Sequence, residues 1–179
     1  MWKLIGVVNK TVSVGADFPV RKTAAELLSK VERAVLDGFK RIKIKFSPQS
    51  NVATIAEIKS KYSDILIHVD CNSGFSLNDI ELFTELNELG LAMIEQPLAY
   101  DDLIFHAELQ SKLKTPICLD ESITSVDRAR KAIDIKACRY INIKTSRVGG
   151  LTNAIEIHDL CQDFGIPVWV EGMLESAVG

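Results

Sequence analysis

RIKIK, residues 41–45, alternates basic side chains with isoleucine and closes on Lys45. Alternate residues of a β-strand face opposite sides. This run therefore sets Lys43 and Lys45 on one face and Ile42 and Ile44 on the other. Five later runs have the same form: ILIHVD (65–70), LAMIE (91–95), PICLD (116–120), YINIK (140–144) and IPVWVE (166–171). Lys45, Asp70, Glu95, Asp120 and Lys144, which close the first five runs, are separated by 25, 25, 25 and 24 residues. Glu171 closes the sixth. Each interval holds one loop and one helix, and a strand–helix repeat of that length predicts a parallel sheet of βα units. A further strand is expected near Thr11 to Ala16, making seven. An eight-stranded barrel takes about 250 residues. The expectation for 179 residues is a partial (β/α) barrel over 1–179 that lacks a last strand. A partner chain that completes the barrel is the alternative.

Helix signals fall between the strands. Thr23 followed by Glu26 forms a capping box ahead of the stripe Leu27, Leu28, Val31 and Val35, which Gly38 closes. Ser76 with Asp79 opens a helix carrying Ile80, Phe83 and Leu86, and Ser125 caps the run with Ala129, Ala132 and Ile133. Leu151 to Phe164 forms the last, stopped by Gly165 and Pro167. Val52 to Tyr62 and Leu103 to Leu113 supply two more.

Composition fits a soluble globular protein: 47% of residues are hydrophobic and 25% charged. A net charge of −3 with no basic stripe argues against nucleic acid. The apolar runs are strand-sized, so no membrane span is expected. The N-terminus MWKLIGVVNK has no evident signal peptide. Cys71, Cys118, Cys138 and Cys161 show no metal-finger spacing, and reduced thiols in a cytoplasm are expected.

Because each charge lies at the C-terminal end of its strand, all of them meet at one mouth of the sheet, the face where α/β barrels do their chemistry. Asp70, Glu95 and Asp120 stand on successive strands, and three converging carboxylates repel unless a cation lies between them. Oxygen donors suit a hard ion, Mg²⁺ above Zn²⁺, with Mn²⁺ as its substitute. Asn72 and Glu121 stand where they can orient these ligands. Lys45 precedes the acidic strands by one unit and Lys144 follows by one, so the two flank the ion. Partial desolvation and the ion's charge make such lysines candidate acid/base groups at a carbon whose carboxylate the metal holds, the metal stabilising the developing enediolate. Lys43 shares their face and is expected to lower the Lys45 pKa. His68, one layer beneath Asp70, is read as a hydrogen-bonding residue inside the barrel. His106 and His158 are read as packing residues, Gly149-Gly150 as a tight turn, and Trp2 and Trp169 as core or interface aromatics.

MWKLIGV, FKRIKIKF, HVDCNSGF, MIEQPL, TPICLDES, YINIKTSRVGG and HDLCQDFGIPVWVEGMLES together cover the chain nearly end to end. In these segments the chain resembles the enolase superfamily, in its muconate-lactonising subgroup. It is most similar to the branch of o-succinylbenzoate synthases and N-acylamino acid racemases. The resemblance implies an enolase-type (β/α)7β barrel, here incomplete, with about seven strands and no capping domain. It also implies Mg²⁺ at Asp70, Glu95 and Asp120 and acid/base lysines at Lys45 and Lys144. The implied substrate is a small-molecule carboxylate. The implied reaction is a hydro-lyase dehydration of menaquinone biosynthesis, with N-acylamino acid racemisation, or an inactive fragment needing a partner, as alternatives. In such synthases the lysine matching Lys45 takes the proton and assists loss of the hydroxyl, while that matching Lys144 lends positive charge. In the racemases the two lysines work on opposite faces. A homo-oligomer or a complementary segment is the expected assembly. Where family members often carry Gly-Gly before Met, this chain has Glu171-Gly172-Met173. Gly172 and Met173 are thereby placed at the substrate pocket, and Glu171 is expected to narrow or recharge its mouth.

Overall fold

The computed structural model describes residues 11–21 and 23–173. Strands and helices alternate: β1 (Ala16–Phe18), α1 (Ala24–Leu36), β2 (Arg41–Lys45), α2 (Val52–Lys61), β3 (Leu66–Asp70), α3 (Ile80–Asn87) and β4 (Ile94–Glu95). They continue with α4 (Leu103–Lys112), β5 (Ile117–Leu119), α5 (Val126–Asp134), β6 (Tyr140–Ile143), α6 (Leu151–Asp163) and β7 (Val168–Val170). The strands form one sheet in chain order, each parallel to the next. Sequential parallel order with a helix between each pair of successive strands is the winding of an α/β barrel.

Strand parity divides the core as the alternation predicts. Ile42, Ile44, Ile67, Val69, Ile94, Ile117, Leu119, Ile141 and Ile143 are all buried in one cluster with the inner sides of the helices. Each such side chain contributes about 1.5–3 kcal/mol by leaving water. On the opposite face Met93, Cys118 and Trp169 form a separate small cluster with Tyr140 against it. Lys43 pairs in register with His68, and Lys45 with Asp70, which in turn pairs with Glu95.

Several boundaries differ from expectation. The first strand begins at Ala16, not near Thr11. Its partner β2 starts at Arg41, and Ala16 is already opposite Ile42, so residues 11–14 fall beyond the start of β2. The Ser76–Asp79 capping box exists, but it closes a 3₁₀ turn over Leu77–Asp79, and α3 follows it. At Thr23 only half of the box forms. The threonine hydroxyl accepts the Glu26 amide at 3.2 Å, while the Glu26 carboxylate is drawn to Arg21 at 3.2 Å. β5, β6 and β7 stop one residue short of Asp120, Lys144 and Glu171, so those three charges open the following loops. Trp2, the MWKLIGV segment and the final residues 174–179 lie outside the described residues. No described helix is long and apolar enough to cross a membrane, and all four cysteines are buried and free.

Candidate metal and acid/base site

At the C-terminal mouth the strand-end charges converge. Lys43 reaches up the inner face of β2 with its side chain almost fully buried. Its ammonium contacts Asp70 Oδ2 at 2.9 Å, Glu95 Oε2 at 3.1 Å and both Glu171 oxygens at 2.9 Å. Lys45, at the end of the same strand, is 2.5 Å from Asp70 Oδ2 and also borders a cavity of about 270 Å³ between the starts of α1 and α2. Across the mouth, Lys144 Nζ lies 2.7 Å from Asp120 Oδ2 and 3.2 Å from Glu171 Oε2. Arg147 pairs with the other Asp120 oxygen. Asn142 donates to Glu95 Oε1 at 2.8 Å and to Glu171 Oε2 at 3.0 Å. The Asn72 amide donates to Asp70 Oδ1 at 3.0 Å, and its side chain donates to Glu121 at 2.9 Å. Gly172 and Met173 follow β7 and are exposed.

Electrostatics follow from this crowding. Burial pushes the Asp70 carboxyl up, but Lys43 and Lys45 outweigh it and the pKa is lowered. For Asp120 burial wins over Lys144, and the pKa rises to about 6. Glu171 is pulled down to about 2 because Lys43, Lys144 and Asn142 overcome the cost of its burial. Burial lowers Lys144, yet Asp120 and Glu171 raise it further, so its ammonium is favoured. Lys43 behaves likewise, held charged by Glu95 and Asp70.

The donor set fits a hard cation. Single oxygens of Glu95, Asp120 and Glu171 lie within 4.8 Å of one another, and Asp70 stands in register beside Glu95. Glu95 Oε2 and Asn142 Oδ1 are buried without a hydrogen bond among the described residues, the Lys43 contact with Glu95 Oε2 being an ion pair of poor hydrogen-bond geometry. Buried oxygens lacking donors in an all-oxygen cluster are what a divalent ion would satisfy. His68 corrects an expectation: it is fully buried, but neither ring nitrogen makes a hydrogen bond among the described residues. Nε2 lies 3.5 Å from Glu95 Oε2, and the ring packs edge-on to Trp169. Held on the inner face of β3, the ring sits between Trp169 and Glu95, and among the described residues no donor or acceptor is aligned to it. His106 is buried, while His158 is partly exposed beside Asp159. Gly149 and Gly150 form the expected turn, with φ of 89° and 119°.

Gln96 and Arg147 escape a strand-by-strand inspection because both lie in loops. Gln96, in the left-handed region at φ 37°, accepts the Asp120 and Ser122 amides at 2.9 and 3.1 Å. It thereby ties the Glu95 strand end to that of Asp120.

Comparison with known proteins agrees with this arrangement. The chain is 50% identical over 175 residues to an o-succinylbenzoate synthase of Geobacillus stearothermophilus, covering 98% of this chain and 47% of that protein. It is 41% identical over 179 residues to an N-succinylamino acid racemase of Thermus thermophilus, covering all of this chain and 48% of the relative. The crystal structure of a protein described as an unknown member of the enolase superfamily from Enterococcus faecalis superposes with a TM-score of 0.93 at 38% identity, over 98% of this chain and 48% of that one. The chain therefore spans about half the length of the curated relatives it matches. Residues 26–179 match the family described as enolase C-terminal domain-like. With its sequentially wound parallel strands and its charges gathered at their C-terminal ends, the chain belongs to that enolase C-terminal domain-like family.

Proposed function

We propose that this chain is the barrel part of a Mg²⁺-dependent enzyme that removes the proton α to a substrate carboxylate. The reaction is dehydration of the o-succinylbenzoate synthase type. One observation carries the reading: two lysine amines stand at opposite sides of a buried carboxylate cluster, Lys45 against Asp70 and Lys144 against Asp120. Asp70, Glu95 and Asp120 would hold the ion, which would supply charge neutralisation for the substrate carboxylate. Lys45 as a free amine takes the α-proton and, as the ammonium so formed, returns it to the departing hydroxyl, so that water leaves. Lys144, kept charged by Asp120 and Glu171, lends positive charge on the far side. Asn72 and Glu121 steady the Asp70 side of the site, and Gly172 and Met173 border the substrate. The same opposed lysines, together with the similarity to a racemase, favour N-acylamino acid racemisation as the second reading, with Lys144 donating a proton to the opposite face.

The substrate is a small carboxylate. The full-length protein would add a capping domain and a last barrel strand, and would work in the cytoplasm, a placement that the four free thiols support. In that protein Lys45→Ala should lower exchange of the substrate α-proton with solvent deuterium by about 10²–10⁴-fold, and exchange at the wild-type rate would refute the base assignment. Dehydration of the synthase substrate without racemisation of N-succinylamino acids would retire the second reading.

A further inference from the structure

We infer that Glu171 is a positioning residue for Lys43: it is the anion that keeps the Lys43 ammonium paired when a divalent cation occupies the carboxylates. This rests on the metal reading above. The Lys43 side chain is 2% exposed, so its charge has no water to retreat to, and an unpaired buried ammonium is strongly disfavoured. Three carboxylates now share it: Asp70 at 2.9 Å, Glu95 at 3.1 Å and Glu171 at 2.9 Å through both oxygens. Two of these are proposed metal ligands. A divalent ion on Asp70 and Glu95 repels the ammonium from both, since like charges a few ångströms apart in a poorly hydrated site interact strongly. Glu171 remains.

The geometry suits this handover. Glu171 projects from the end of β7, across the mouth from β2. Asn142 at 3.0 Å and Lys144 at 3.2 Å hold its Oε2, so its position does not depend on Lys43 alone. Both of its oxygens are as near the ammonium as Asp70 is, at 2.9 Å. Metal uptake and the Lys43–Glu171 pair are then linked: the loaded site needs the pair more than the empty site does, because the empty site offers Lys43 two other partners.

The link is tested by Mg²⁺ titration calorimetry on the full-length protein and three variants, Glu171→Gln, Lys43→Met and the double substitution. Glu171→Gln should weaken Mg²⁺ binding by at least about tenfold, given the cost of leaving a buried charge unpaired. Lys43→Met alone should tighten it, because the competing ammonium is gone. In the Lys43→Met background the Glu171→Gln change should cost less than about threefold, the remainder being coupling through Lys43. Glu171→Asp should restore part of the affinity, and it serves in the same cycle if the glutamine variant does not fold. Equal losses in both backgrounds would make Glu171 a direct ligand and overturn the inference, as would undiminished binding in Glu171→Gln or weaker binding in Lys43→Met. A wild-type protein that takes up no Mg²⁺ at millimolar concentration would remove the metal reading and this inference together.

Discussion

His106 is buried on α4, and its surroundings select the neutral ring. Nδ1 lies 2.5 Å from the Asp102 carbonyl oxygen, to which it donates, and Nε2 accepts the Leu98 amide at 3.3 Å. Burial lowers its pKa, more than the Asp102 carbonyl raises it. As pH falls through the unfolded value of about 6.5, the unfolded chain binds the proton first, so the stability due to neutral His106 is present above that pH and declines below it. Asp120 works in the opposite sense: its folded pKa of about 6 is raised, so the folded form binds that proton first. The two are separated by comparing wild type with His106→Gln in urea unfolding from pH 7.5 to 5. Wild type should lose stability relative to the variant on acidification, and parallel curves would refute the assignment. Single residues were legible where strand parity governs them. Lys43, Lys45, Asp70 and Glu95 needed only their place in an alternation. Glu171 was visible as a strand-end charge, and Asn142 stands beside it on the neighbouring β6, but its partner Lys43 lies across the mouth on β2, a relation no local pattern encodes. Gln96 was hidden because its work is done by a left-handed loop residue on backbone amides 24 and 26 positions away.

Elements were legible from their ends. Ser125 is extended at φ −163° and accepts the Arg128 amide at 3.1 Å, and Asn51 accepts the Ala53 amide at 2.8 Å at the start of α2. A cap satisfies an amide that has no partner within the helix. The α5 stripe Ala129, Ala132 and Ile133 is buried, so fraying at Ser125 loosens packing against the sheet as well. Ser125→Ala should therefore cost about 1 kcal/mol in urea unfolding, and Ser125→Asp should cost little. An alanine variant as stable as wild type would show that tertiary packing alone fixes this end. Strand lengths were less legible. LAMIE contains five residues but β4 only Ile94–Glu95: Leu91 and Met93 are buried ahead of the ladder, and Gln96 turns left-handed immediately after it. The hydrophobic run records burial, and the hydrogen-bonded ladder is shorter than the buried segment.

At the scale of the molecule, equal spacing of βα units carries every strand-end charge to the same mouth, and this spacing made the architecture readable before any contact was known. The cost of that convergence is mutual repulsion of Asp70, Glu95, Asp120 and Glu171, which Lys43, Lys45, Lys144 and Arg147 offset. Those carboxylates stand at strand ends with at least one helix between each and the next, so the unfolded chain has no comparable cluster and a divalent ion would bind the folded form selectively. Mass action then ties stability to the ion: at a hundred times the dissociation constant it adds about 2.7 kcal/mol. Thermal unfolding of the full-length protein should shift upward with Mg²⁺ relative to chelator, and Asp120→Asn should flatten the dependence. Ionic strength must be matched with monovalent salt, because surface pairs such as Lys61–Glu32 and Lys131–Asp127 are screened by any electrolyte. A melting temperature indifferent to millimolar Mg²⁺ at constant ionic strength would mean that the lysines and Arg147 are the only counter-ions this acidic mouth accepts.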